Sequence, residues 1–403
     1  MSVANLQQTE AGTFQGEGMQ IPNGNPGVNP VITVSSSVGS GSLSSAASYY
    51  ASPNIVPATG LLQLLYYARR TLLYALKGTE VDVLNPATLQ WKSPISFPSA
   101  ATGSYDTMAL TPDGSKLVIA GFTASNNPQA IVLDPDGKSS PAVVTYSEAS
   151  SITGSIVITA SNKVIFAGFP AIALDLSSLT FTPLNVNTGA LLRSTPDGTH
   201  IYGADLNVSS GSVYSLDPDA LTVKQESFAF MFWADLAVSP NGSQFAPVDI
   251  VPSGAGDLVG FFDSGLHYLN TNIYPEISPP DDAGAIGTTY SPAGDVLVVP
   301  LGDSIEFWDA ARGTLRARLM TPEELKVIVY PEGAAAPILA LDPTGQTVYA
   351  ISKSGITVLT LPQPLDHIPS MQWAQVQGHN SKRTDFHGLI GLRMSVMHSK
   401  SSK

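Results

Sequence analysis

Met108-Ala-Leu-Thr-Pro-Asp-Gly-Ser-Lys-Leu-Val-Ile-Ala120 is the stretch on which the fold turns. A short apolar run leads into Thr-Pro-Asp-Gly and a second apolar run leads out of it. Pro112 presets φ for the first central position of a β-turn, Asp113 can bond back to nearby backbone, and Gly114 accepts the positive φ that closes a hairpin. The reading is two antiparallel strands joined by a tight turn.

Working outward, the pattern returns at Leu192-Arg-Ser-Thr-Pro-Asp-Gly-Thr-His-Ile-Tyr-Gly203, Leu236-Ala-Val-Ser-Pro-Asn-Gly-Ser-Gln-Phe245, Thr289-Tyr-Ser-Pro-Ala-Gly-Asp-Val-Leu-Val-Val299 and Leu339-Ala-Leu-Asp-Pro-Thr-Gly-Gln-Thr-Val-Tyr-Ala350. Two degenerate copies complete the series. Ile156 to Ala167 carries Ala-Ser-Asn at the turn, and Leu64 to Ala75 carries Ala-Arg-Arg. Seven copies at this spacing suit one four-stranded sheet per repeat better than a lone hairpin. Runs such as Ile131-Val-Leu133, Val213-Tyr-Ser-Leu216 and Ile356-Thr-Val-Leu-Thr-Leu361 are short, β-branched and bounded by Gly or Pro, as strands between packed sheets should be. Residues 59–370 therefore predict an all-β array of seven four-stranded antiparallel sheets. The one helix start is Thr321-Pro-Glu-Glu-Leu-Lys326, with Thr as N-cap and Pro at the first helical position.

These copies resemble the YVTN-type repeat of bacterial seven-bladed β-propellers, over about three quarters of the chain. Ile305-Glu-Phe-Trp-Asp-Ala-Ala-Arg-Gly-Thr-Leu-Arg-Ala-Arg-Leu319 also resembles the Trp-Asp strand of a WD40 repeat, without its Gly-His partner. The resemblance implies blades around a central axis, with ligands taken at the axis by the first strand of each blade. It is specific for architecture and silent on activity.

Composition narrows the function classes. The 403 residues are 13% charged, against roughly 25% for an average soluble protein, and contain no Cys. Disulfides, thiolate nucleophiles, iron–sulfur clusters and Cys-ligated zinc are thereby excluded. No apolar run approaches the roughly 20 residues that span a bilayer. The net charge of −13 is uneven: residues 59–370 carry 29 acidic against 14 basic side chains, and residues 371–403 carry five basic against one acidic. Between Lys224 and Arg312 there is no basic residue, while twelve acidic ones fall inside. Such a field repels nucleic-acid phosphate and offers a face to a basic partner.

The ends differ from the body. Residues 1–58 are rich in Gly, Ser, Asn and Pro, and their one strand-like run, Val31-Ile-Thr-Val34, is the candidate closing strand of the last blade. Residues 371–403 read as a basic tail. The first residues carry no basic n-region or apolar core, so no secretory signal is visible. The composition points to an extracellular or cell-envelope protein, with a cytoplasmic location as the alternative.

No catalytic constellation emerges. The six His residues show no metal-ligand spacing, and Gly-x-Ser-x-Gly, Walker A and Gly-x-Gly-x-x-Gly patterns are missing. Asp134-Pro-Asp-Gly137 lacks the further ligands of a calcium loop and reads as a turn. Candidate binding residues are those just ahead of the turns, Asp106, Arg193, Trp233, Asp235 and Tyr290, together with Asp281 and Asp282 after Pro279-Pro280. The leading expectation is a non-catalytic scaffold that binds a protein or small ligand at a propeller face, with no cofactor. A lactonase-like or quinoprotein-like enzyme with an axial site is the alternative, and a calcium-stabilised adhesion module is the third.

Overall fold

The computed structural model describes residues 53–101, 103–148, 151–186, 191–205, 211–228, 233–249, 258–273, 285–328 and 336–361. It also gives the strands Ala4–Glu10, Thr13–Glu17, Ile32–Ser36, Gly39–Leu43 and Met394–Ser395. The chain divides into two compact units. In the smaller one, Ala4–Glu10 and Thr13–Glu17 form a sheet with Met394–Ser395, and Ile32–Ser36 pairs with Gly39–Leu43.

The larger unit, residues 53–360 with 364–370, holds seven antiparallel sheets. Blades 1 to 6 pair their strands in chain order. Blade 2 is typical: Ser104–Leu110, Leu117–Phe122, Pro128–Leu133 and Ala142–Thr145. The first strands of blades 1 to 7 are Gln63–Tyr67, Ser104–Leu110, Ser151–Ile158, Leu191–Ser194, Trp233–Val238, Thr289–Tyr290 and Leu339–Leu341. Those of blades 1 to 6 neighbour one another in series, that of blade 7 neighbours that of blade 1, and Ile338 of blade 7 stands against Gly287 of blade 6, so the sheets stand in a closed ring. Apolar side chains fill the gaps between blades. Met108, Leu117 and Ile119 of blade 2 pack with Tyr67, Tyr74 and Leu76 of blade 1, whereas Val118 and Ala120 pack with Ile156 and Phe166 of blade 3. Strand alternation thus sends one face of each blade to its predecessor and the other to its successor.

The recurring turn behaves as its chemistry demands. Thr111 Oγ1 donates to Asp113 Oδ1 at 2.7 Å, the Ser115 amide donates to the same oxygen at 2.9 Å, and Gly114 sits at φ +66°. Asp197 in blade 4 and Asn241 in blade 5 repeat this arrangement. Turns between third and fourth strands use a different device. Asn85, Asp175 and Asp217 cap the amides just after them, and Leu89, Leu179 and Leu221 close the turn with φ between +53° and +56°.

Antiparallel order gives the ring two unlike faces. These turns all lie on one, the turn face. The connections between second and third strands, and those from blade to blade, lie on the other, the linker face. On the turn face successive blades are stitched: Tyr67 Oη donates to the Gly114 carbonyl at 2.7 Å, Lys116 Nζ to the Leu176 carbonyl at 2.6 Å and Tyr202 Oη to the Gly242 carbonyl at 2.7 Å. The linker face carries residues 285–288, 321–328 and 336–338, the described parts of the connections that lead into blades 6 and 7.

Three expectations change. The outer strand of blade 7 is Asn54–Pro57, paired with Gly355–Thr360, and not residues 31–34. Its place just ahead of Gln63 lets the chain reach blade 7 and enter blade 1 without a long crossing, and Trp91 of blade 1 secures it with an Nε1 bond to the Pro57 carbonyl at 3.2 Å. Second, Thr321 to Lys326 is not a helix. The Leu325 and Lys326 amides donate to the carbonyls of Gly302 and Ile351 in neighbouring blades, so tertiary bonds displace the helical ones. Third, the fourth strand of blade 1 is split into Gln90–Trp91 and Ile95–Ser96, with Pro94 ahead of the second piece.

Candidate functional site

The residues ahead of the turns share a register that makes them comparable. Four positions before the Thr111-type residue stand Gln63, Thr107, Ser155, Leu191, Asp235, Gly287 and Ile338 in blades 1 to 7, and all are buried. Several polar ones reach the next blade. Gln63 donates from Nε2 to the Met108 carbonyl and accepts the Met108 amide at Oε1, both at 2.8 Å. Ser155 Oγ donates to the Leu192 carbonyl at 2.9 Å and accepts the Leu192 amide at 3.1 Å. Asp235 accepts the Gly287 amide at 2.7 Å. In blades 1, 3 and 5 one side chain thus binds backbone of the next blade that would otherwise face the axis unpaired.

Arg193 and Asp235 come together in this ring. Arg193 Nη2 lies 3.1 Å from Asp235 Oδ1, and Nη1 donates to its own Leu192 neighbour's carbonyl at 3.1 Å. Asp235 is 1% exposed and also accepts the Leu236 amide at 2.8 Å. Burial raises the pKa of its carboxyl, while Arg193 and the two amides pull the other way. The pair joins blades 4 and 5 and occupies both groups structurally.

Asp106 stands apart. It is the extra residue of a bulge between Tyr105 and Thr107 in the first strand of blade 2. Its Oδ1 is buried without a hydrogen-bond partner among the described residues, and burial pushes its carboxyl up to about 7. Asp205, at the linker-face end of blade 4, is also raised by burial and by Glu226. Turn-face carboxylates shift the opposite way. The Thr111 hydroxyl and Ser115 amide hold Asp113 near about 2, and the Ser177 hydroxyl with two amides does the same for Asp175. Asp113 and Asp175, spent on turns, are stabilised as anions; Asp106 and Asp205 are not.

The remaining candidates separate. Tyr290 is buried in the core between blades 5 and 6, with no partner for its hydroxyl among the described residues. Trp233 opens the first strand of blade 5, in register with Asp249. Asp281 and Asp282 lie outside the described residues. The acidic sector also shrinks in space, because Arg193, Arg316 and Arg318 enter it from outside the sequence window. Arg316 bridges Asp309 at 2.9 Å and Asp295 at 3.1 Å, and Arg318 Nε donates to the fully buried Glu306 at 2.7 Å. The inter-blade latch itself is visible in sequence only once the copies are aligned on their turns. Among the described residues no group of three or more His, Asp or Glu side chains could hold a metal ion, and no helix is long and apolar enough to cross a membrane.

Solved structures match this ring. Hydrazine synthase of Kuenenia stuttgartiensis superposes with a TM-score of 0.59 at 14% identity, covering 75% of this chain and 95% of that one. The Cps50 (Swd1) β-propeller domain of Myceliophteria thermophila gives 0.58 at 10% identity over 76% and 98%, and the Dos1 propeller 0.52 at 14% over 74% and 78%. The chain is a seven-bladed β-propeller. No family model matches it, and no curated protein does. At these identities the propeller likeness establishes fold alone.

Proposed function

We propose that this propeller is a non-catalytic binding scaffold whose contact surface is the acidic part of the linker face in blades 4 to 6, and that its partner is basic. The observation that carries the reading is the fate of the axial polar groups. Gln63, Ser155, Arg193 and Asp235 are engaged in holding blade to blade, and a group fully committed to structure is a poor nucleophile or base. The contrast between faces supports it further. Long connections carry recognition more often than tight turns do; the linker face keeps Asp205, Glu226 and Asp303 among the described residues, and the sequence adds Asp257 between Gln244–Asp249 and Leu258–Asp263, and Glu276, Asp281 and Asp282 between Tyr268–Ile273 and Thr289–Tyr290.

The test is capture by an immobilised oligolysine peptide at low and high salt. Changing Asp281→Lys with Asp282→Lys should weaken capture at least roughly tenfold, or about 1.4 kcal/mol, and Asp219→Lys on the turn face should leave it unchanged. Equal capture by both variants would remove the acidic connections from the reading.

One observation favours a second reading. The Asp106 carboxyl, its Oδ1 without a partner among the described residues and its pKa raised to about 7 by burial, is the kind of group an axial enzyme uses as acid or base. Hydrolysis of a simple lactone by the parent, lost in Asp106→Asn, would place the enzyme ahead of the scaffold.

A further inference from the structure

The connection from blade 6 to blade 7 does not take the short path between them. Its first part, residues 321–328, lies on the linker face of blade 7. The Leu325 amide donates to the Gly302 carbonyl at 2.6 Å, the Lys326 amide to the Ile351 carbonyl at 3.0 Å, and the Lys353 amide to the Glu324 carbonyl at 3.0 Å. Glu323 adds a side-chain clasp, accepting the Ser354 amide at 2.8 Å. The strand is then turned inward. Ala336 donates its amide to the Ile328 carbonyl at 2.9 Å, and both side chains pack on the core that belongs to blades 4 and 5, with Leu191, Ala204, Leu236 and Phe245. A segment tied at one end to blade 7 therefore contacts the other side of the ring, and the direct line between them crosses the axis.

Burial along the first strands agrees with such a crossing. Leu191, at the linker-face level of the axis, is 0% exposed, as is Ala336 above it. Two residues nearer the turn face, Leu65, Ala109, Arg193 and Thr289 are half-buried, whereas Val157, Ala237 and Ala340 are buried, so the axis is more open there in blades 1, 2, 4 and 6. Leu191 is also one of two large apolar residues, with Ile338, in a register position otherwise filled by Gln, Thr, Ser, Asp and Gly. An apolar side chain there needs an apolar cover, and Ile328 with Ala336 supplies it.

We infer that residues 321–328 and 336–338 form a strap that plugs the central channel at the linker face, so that the axis is reached from the turn face alone. The inference stands apart from the partner reading above, which uses the connections around the plug. A small ligand on the axis would enter past Ala109 and Thr289, and any partner on the linker face meets the strap first.

The chain has no Cys, so single thiols report access without background. Labelling by a small maleimide would be timed at Leu191→Cys beneath the strap, at Ala109→Cys toward the turn face and at Ile131→Cys in the blade 2 core. In the parent strap, Leu191→Cys should react at least roughly a hundredfold more slowly than Ala109→Cys, as fits protection lifted only by local opening. Adding Ile328→Asp should bring the two within about tenfold while Ile131→Cys stays protected. If Ile131→Cys loses protection, Ile328→Ser replaces Ile328→Asp in the same comparison. Equal rates in the parent would overturn the plug, and so would a Leu191→Cys that stays protected when the strap is altered.

Discussion

A single buried carboxyl sets the most sensitive residue-scale expectation. Asp106 has a folded pKa of about 7 against an ordinary value near 3.8. The folded state keeps the proton that the unfolded state releases, so this residue's stabilising contribution is present in acid and is lost as pH rises from about 4 to about 7. Asp106→Asn should therefore match the parent at pH 4 and exceed it at pH 8 by about 4 kcal/mol. Denaturant melts at the two pH values check this, and a pH-independent difference would contradict it. Turn carboxylates have the opposite sign. Asp113, held near 2, stabilises the fold above the ordinary carboxylate range and loses that contribution as pH falls. Asn241 makes the same bonds through Oδ1 alone, so Asn241→Asp should be tolerated, with a melting temperature equal to or above that of the parent.

At the scale of elements, the inter-blade latch is the distinctive part. Gln63→Leu keeps bulk but leaves the Met108 amide and carbonyl unpaired in a buried setting, which should cost about 2–4 kcal/mol in a urea melt. A loss near zero would mean that water takes over both groups. The turns were legible in sequence because Pro, Asp and Gly act within four residues. The latch was not, since Gln63, Ser155 and Asp235 share a position and no residue type. Nor was the strap: Thr321 and Pro322 carry a good local helix start, and bonds to Gly302 and Ile351 override it.

For the whole molecule, closure rests on a strand of four residues, Asn54–Pro57, paired with Gly355–Thr360 from the far end of the chain. Val56 is 5% exposed there. Val56→Asp buries an unpaired charge at the seam and should lower stability by several kcal/mol, read as a large fall in melting temperature. The same substitution at exposed Ile55 should do little. The seven blades could be counted from the chain alone, because each repeat signs itself at the turn. The seam could not, because Ile55 and Val56 carry no signal until their distant partner is known. Charge misled for a similar reason: a window without basic residues became a set of ion pairs once Arg193, Arg316 and Arg318 arrived from outside it.

The central claim, that the linker face is the contact surface, is met most directly by hydrogen exchange on the full chain with and without an oligolysine peptide. Protection should rise at the linker-face segments around Asp205, Gly302 and Asp303, and the turns at Asp113, Asp197 and Asn241 should be unaffected. Protection confined to those turns, or binding with no change at the linker face, would contradict the account.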